Sequence, residues 1–446
     1  MKKSIVLSKY LKVLFQTESK EASEWFGYYN YDTLNYDQTK MIALHIPVDG
    51  VAPSKDISVQ IGYYDLHTAE WCYIDKSDSW NWQQGAMAQW LPNNRKENII
   101  IYNNSIDGRL VSILFNVDTG ERRIIDWPIY GIMPDGSRSI SIDLERSYWC
   151  RAYHYQSVVN KDKDGLVWKN DGVYEIDLIN NTRKTIVDID TIIHTEYKEE
   201  FKNCKHWLEH VMINPSGTKF CFLHRFSSPE NVYRYSTRLF VADIDGSNLQ
   251  VVPGWEDTIF THFGWKTNDE FAIYTYTPYK VKEGKGLREI VKTKSFFSMD
   301  MLRRVVRACA SVFPYAIRTK MIGRRTYYQF YKLGEGDTPQ PAGKAEGKSF
   351  SVDGHPSFTN DGRYMITDSY PWNDGFQRLM VIDTKTGKSL IIAKFFAYYH
   401  NNPASCDLHP KLSANNRLLA VDTAYDEHHH MILFELDWGL IKKEIS

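Results

Sequence analysis

The feature that most constrains this chain is an internal repeat. Phe358–Lys394 reads FTNDGRYMITDSYPWNDGFQRLMVIDTKTGKSLIIAK, and Ile213–Pro253 opens INPSGTKFCFLHRF and closes TRLFVADIDGSNLQVVP. Both run strand, tight Asx/Ser-Gly turn, strand, loop, a third strand ending in Asp, a Gly turn and a fourth strand. Asp-Gly and Ser-Gly supply the positive φ that short hairpins require. Weaker copies occupy Tyr36–Ile74, Trp90–Trp127, Ile132–Ile189, Trp265–Leu333 and Leu412–Leu436. Seven copies of about four strands each predict an all-β chain, one seven-bladed β-propeller over residues 1–446. The last copy is short of an outer strand. The N-terminal segment can supply it and close the ring, which otherwise leaves strand edges unpaired.

Aligning the copies on their first turn exposes a second regularity. Seven residues before the turn glycine or its equivalent stands a histidine in four copies: His210 before Gly217, His262 before Asp269, His355 before Gly362 and His409 before Asn416. That position is the entry to the innermost strand, so ring symmetry gathers the four side chains at one mouth of the channel. A lone strand histidine is ordinarily structural; four in one register predict a polar site.

Three runs sharpen its chemistry. Ala404-Ser405-Cys406-Asp407-Leu408-His409-Pro410 sets thiol, carboxylate and imidazole within four residues, and His355 opens the preceding copy. His355, Cys406, Asp407 and His409 are candidate ligands for a divalent metal, zinc or manganese. The alternative makes Cys406 a buried small hydrophobe and Asp407 a turn cap. His206-Trp207-Leu208-Glu209-His210 pairs with Phe222–Phe226, placing His206, His210 and Arg225 as catalytic candidates, unless His224 and Arg225 merely pair within the sheet. In the run Ser79–Trp90, Trp82, Gln84 and Gln89 can line the mouth with His262 and grip sugar rings, or pack the blade. No nucleophile elbow, P-loop or dinucleotide fingerprint appears, which argues against serine hydrolysis and nucleotide chemistry.

Charge bounds the partners. The net charge is −1, which argues against nucleic acid. Yet residues 279–325 hold thirteen Lys/Arg against three acids, with apolar residues from Phe296 to Cys309 near helical spacing. The pattern predicts a basic, partly helical insertion in the fifth blade, read as a cap folded on the propeller, a lid, or a foot on an anionic membrane. Six scattered cysteines form no CxxC pair. Lys9 and Lys12 break the N-terminal apolar run and no cleavage site follows, so a cytoplasmic location is expected.

Three segments, HWLEHVMINPSGTKFCFLHRF at His206–Phe226, HPSFTNDGRYMITDSYP at His355–Pro371 and CDLHPKLSANNRLLAVDT at Cys406–Thr423, together with WNWQQG at Trp80–Gly85, resemble the propeller-type polysaccharide lyases, the oligogalacturonate and ulvan lyases. The resemblance implies β-elimination at a uronic acid: a cation or Arg neutralises the carboxylate, a base takes the C5 proton, and an acid protonates the departing O4. By position it implies His355, His409 and Cys406 as metal ligands, His210 as base or carboxylate partner, and Arg225 as a clamp. Tyr148 and His154 are its acid candidates. The third copy departs from the pattern, reading Ser147-Tyr148-Trp149 where relatives place a histidine. The competing expectations are a non-catalytic glycan- or protein-binding propeller, and a surface-polysaccharide assembly protein docking on the inner membrane face.

Overall fold

Each repeat forms a four-stranded antiparallel sheet because its middle strands are apolar on both faces. Tyr364–Thr367 and Leu418–Thr423 are buried at every position, as expected where a sheet packs on a neighbour on each side. A computed structural model describes residues 4–18, 20–54, 56–92, 96–151, 164–232, 234–277, 325–400 and 402–446. It is a seven-bladed β-propeller. The innermost strands are Ser23–Trp25, Gln89–Trp90, Gly131–Ile132, Lys205–Ile213, Ile259–Trp265, Ser357–Phe358 and Lys411–Leu412.

Neighbouring blades interlock through the repeated turns. Gly136, Gly217 and Gly362 each donate a backbone hydrogen bond to the carbonyl three residues earlier. These turns require glycine for space as well as for φ. A Cβ on Gly136 would strike the Pro92 carbonyl, and one on Gly217 would sit 2.9 Å from the Pro134 ring, each on the preceding blade.

Closure uses the N-terminus, as the short last copy predicts. Leu11–Gln16 pairs antiparallel with His430–Leu436, from Leu11 opposite Leu436 to Gln16 opposite Ile432, and becomes the outer strand of blade seven. Ile5–Leu7 adds a fifth strand to blade six. The chain then starts blade one at Ser23–Trp25, upstream of the Tyr36 boundary expected from the repeat. The reason is an excursion: Ser23–Trp25 pairs with Leu44–Ile46, residues 26–33 leave the sheet, and pairing resumes at Leu34 with Met41. This broken inner strand carries no repeat signal.

In antiparallel blades the connection from second to third strand lies at the end where the first strand enters. Helix Leu144–Arg151 in blade three and Asp368 in blade six therefore share the face bearing the histidine register. So does the stem of the blade-five insertion, where the Thr277 and Arg325 backbones hydrogen-bond. The insertion's body, with its expected helix, and His154 lie outside the described residues.

Deleting the segment through Gln16 strips the outer strand from blade seven and bares the His430–Leu436 edge. The expected result is a melting midpoint lower by roughly 5 °C or more and aggregation near it, read by calorimetry and light scattering.

Candidate active site at the channel mouth

The four register histidines converge. Ring centroids of His210 and His262 are 6.0 Å apart, His262 and His355 4.1 Å, and His355 and His409 4.4 Å. The backbone is irregular where they sit. Strand pairing shifts register across His210 and across His262, and His210 and His409 adopt positive φ of 54° and 43°. That conformation is uncommon for non-glycine residues, and within a strand it marks a local break in the ladder.

Asp368, at the end of the second strand of blade six, organises two of them. Its carboxylate accepts from the backbone N–H groups of His355 (2.6 Å), Leu408 (3.0 Å) and His409 (3.3 Å). His355 Nδ1 lies 3.0 Å from both its oxygens. That contact leaves Nε2 of His355 as the ring atom available to a ligand, the arrangement of carboxylate-oriented metal-binding imidazoles. His355, Asp407 and His409 place one ligand atom each within 4.8 Å of one another. The Nε2 atom of His409 is buried without a hydrogen-bond partner among the described residues. Burial depresses the pKa of both imidazoles, and the Asp407 carboxyl is pushed up by burial and then by Asp368 and Asp353. Two neutral imidazoles and a carboxylate fit a hard or borderline divalent cation.

Cys406 does not join them. Its thiol faces the Asp407 carbonyl at 3.6 Å, and burial raises its pKa well above the usual value, so it packs as a small hydrophobe. The expectation of a thiolate ligand is corrected.

Across the mouth, Glu209 Oε2 lies 3.2 Å from Arg225 Nε and 3.7 Å from His210 Nε2. The Arg225 guanidinium stacks 4.4 Å from the Tyr235 ring centre. Sequence reasoning placed His210 and Arg225 together but missed Glu209, the anion joining them, although it lies inside the His206–His210 run.

The excursion of blade one fills the channel between these groups. Phe26 and Gly27 N–H groups donate to the Asp422 carboxylate, 3.0 Å each, and the chain then projects Tyr28 and Tyr29 inward. The Tyr28 hydroxyl lies 3.3 Å from His210 Nδ1, and the Tyr29 hydroxyl donates to the Phe263 carbonyl of blade five (2.7 Å). Tyr28 also meets His409 edge-on at 4.9 Å, while Tyr29 lies 5.1 Å from His355. Tyr130 approaches His210 Nδ1 at 3.1 Å and accepts from Gln84 Nε2 at 2.9 Å. His262 pairs with Asp353 at 3.1 Å. The tyrosine-dense run before the first copy was the available signal for Tyr28 and Tyr29; it has neither repeat register nor period.

Other expected residues fall elsewhere. Gln84 reaches the site through Tyr130. Trp82 does not: it is buried, donates to the Val51 carbonyl, stacks on His429 at 4.3 Å and meets the tilted Trp25 ring at 4.8 Å. Gln89 is spent on the Met87 and Tyr130 carbonyls. Both pack blades rather than line a sugar subsite, because their polar atoms are consumed by backbone. Tyr148 lies on the helix Leu144–Arg151, on the mouth face, its side chain outside the described set.

His206 is also corrected. Arg238 Nε donates to His224 Nδ1 (3.1 Å), His224 Nε2 lies 2.9 Å from His206 Nδ1, and His206 Nε2 lies 2.8 Å from the Phe201 carbonyl. This chain fixes both tautomers as neutral and ties blade four to the helix Ile189–His194, whose Ile192 carbonyl Arg238 also binds at 2.7 Å. It is a buried structural relay.

No family model matches this chain, and no curated protein matches it. Among solved structures it is similar to an oligogalacturonate lyase in complex with manganese, with TM-score 0.61 and 13% identity over 97% of this chain and 94% of that one. An oligogalacturonate lyase from Vibrio parahaemolyticus gives TM-score 0.59 and 13% identity, over 97% and 96%. The fold is shared. At this identity the likeness carries the architecture and leaves the chemistry to the residues.

Two outcomes are expected. Gly27 has φ +113°, and a Cβ there would lie 2.9 Å from the Gln84 carbonyl, so Gly27→Ala should cost about 1–3 kcal/mol in denaturant unfolding. Burial lowers the His206 pKa from 6.5 to about 4. Because the folded value is the lower one, its contribution is complete above pH 6.5 and is lost as pH falls toward 4, where the unfolded chain takes up the proton. His206→Asn should flatten unfolding free energy against pH by up to about one proton across that window, measured by urea unfolding at stepped pH.

Proposed function

We propose that this chain is a metal-assisted lyase that cleaves acidic, uronate-containing oligosaccharides by β-elimination. The observation that carries the reading is one mouth holding a metal-competent His355–Asp407–His409 group opposite the Arg225–Glu209–His210 cluster. The propeller shape shared with oligogalacturonate lyases, one of them in complex with manganese, supports it.

The chemistry needs a positive centre at the uronate carboxylate, which makes the C5 proton acid enough to remove. Arg225 alone supplies little net charge, because Glu209 already pairs with it at 3.2 Å. A bound divalent ion, manganese or zinc, would supply the missing charge and polarise the carboxylate. His355 and His409 would hold it through imidazole nitrogens and Asp407 through a carboxylate oxygen, with Asp368 fixing the His355 ring. Arg225, held flat on Tyr235, orients the sugar carboxylate. His210 is the base, with Tyr28 and Tyr130 at its Nδ1 able to pass the proton on and return one to the leaving oxygen. His262, held by Asp353, meets the sugar ring.

The test separates metal from turnover. Elemental analysis of the gently purified protein should find near-stoichiometric manganese or zinc, and His409→Ala should lose it. Arg225→Ala should keep the metal while formation of unsaturated uronate from acidic oligosaccharides falls by about 10²–10³. Metal-free protein, or an Arg225→Ala variant with unchanged turnover, removes the reading.

A further inference from the structure

A second constellation lies on the side of the ring, at the seam where blade seven meets blade one. An open groove of about 610 Å³ runs between the outer strand Leu11–Gln16 and the sheet of blade one. Phe15, Tyr64 and Trp71 wall it. Phe15 and Tyr64 ring centres are 5.0 Å apart, and Tyr64 and Trp71 5.5 Å. The Trp71 indole reaches diagonally across to Gly62 on the paired strand, where a Cβ would come 2.5 Å from the edge of the ring.

Glu24 sits among these rings. Its side chain is only 2% exposed. One oxygen accepts from the Tyr64 hydroxyl and lies 3.1 Å from His45 Nδ1; the other, Oε2, is buried without a hydrogen-bond partner among the described residues. A carboxylate so buried is poorly screened by water, so its field favours a positive charge nearby. Glu18 adds a second acid to the lining, and no Lys or Arg among the described residues lines the groove.

We propose that this seam groove binds a quaternary ammonium group, a choline-type cation. The choice of cation follows from the geometry. Ring faces present negative quadrupole, and the acids set the field in the same sense, so a cation is favoured and a uronate repelled. Because the free oxygen of Glu24 is covered by its surroundings, a ligand in the groove feels its charge without donating to it. A primary ammonium would give up strongly hydrated N–H groups against the rings, with few acceptors beyond the exposed Glu18 carboxylate to receive them. A quaternary ammonium has none and keeps its attraction to the rings. The site is separate from the channel mouth, so it stands whether or not the lyase reading does.

The full-length protein is titrated with choline, with its neutral isostere 3,3-dimethylbutan-1-ol, and with n-butylammonium, followed by saturation-transfer NMR of the ligand protons. Choline should bind saturably with an affinity on the order of millimolar, and the isostere and n-butylammonium should each bind about tenfold more weakly. Glu24→Gln should weaken choline about tenfold, and Trp71→Leu should abolish saturable binding, with unchanged circular dichroism in both. Equal binding of choline and the isostere would reduce the groove to an apolar slot. The absence of saturable choline binding to the unaltered protein, or undiminished binding to a folded Glu24→Gln variant, would overturn the proposal outright. Tighter binding of n-butylammonium than of choline would overturn the choice of cation.

Discussion

The antiparallel pairing of Leu11–Gln16 with His430–Leu436 is the constraint on which the rest depends. A propeller sheet buries both faces only if its neighbours exist on each side, and a ring of seven has its weakest link where the two ends of the chain meet. Here the N-terminus spans that link, adding a strand to blade six and another to blade seven before it enters blade one. The seam is therefore stitched by backbone hydrogen bonds rather than by side-chain packing alone, and blades six, seven and one are held in a fixed angular relation. His355 and His409 enter on blades six and seven, while the Tyr28–Tyr29 excursion leaves from blade one, so the contact of these groups inherits its precision from the closure.

Inside the mouth the dominant cost is electrostatic. Asp368 and Asp407 are buried, Asp353 is close by, and the imidazoles beside them are kept neutral by the same burial. Desolvating one ion costs several kcal/mol even after relaxation, so adjacent carboxylates persist only when hydrogen bonds or a cation offset that cost. Asp368 is satisfied by three backbone N–H groups and a ring nitrogen. Asp407 is not supported to that degree, and His409 Nε2 has no hydrogen-bond partner among the described residues. The unmet demand is localised on the side of the mouth where three ligand atoms converge. The opposite side, Arg225 with Glu209, is internally balanced. This asymmetry makes the metal, rather than the arginine, the source of positive charge in the proposed chemistry.

The blades and the histidine register were legible in the sequence because both obey the period of the repeat. Turn glycines and the histidines seven residues before them recur for one reason: each blade enters the ring at the same height. What lay hidden breaks that period. Tyr28 and Tyr29 belong to a segment that abandons its sheet, Asp368 and Asp353 sit in connections whose lengths differ from blade to blade, and Glu209 matters because a bulge just after it turns His210 to its side. The misplacements of Cys406, Trp82, Gln89 and His206 share a cause as well. Linear proximity to a site residue does not say which face of a strand a side chain takes, and alternate strand positions point into opposite packing layers. His206 and His210 lie on one strand four residues apart, yet the register shift at Glu209 sends one into a structural relay and the other to the mouth.

That shift has a further consequence for the chemistry the ring can support. A strand without a bulge would present Leu208 and His210 to one layer and Glu209 to the other, burying the carboxylate far from the imidazole it now approaches. The extra residue instead lets Glu209 and His210 face the channel together, at the expense of a positive φ at His210. Strain of about 1–3 kcal/mol at such a residue persists only where surrounding structure enforces it. Here the enforcement comes from Arg225 on the paired strand and from Tyr28 and Tyr130 at the ring nitrogen. The strained histidine is thus held from three blades at once, so its orientation is a property of the closed ring and not of the strand that carries it.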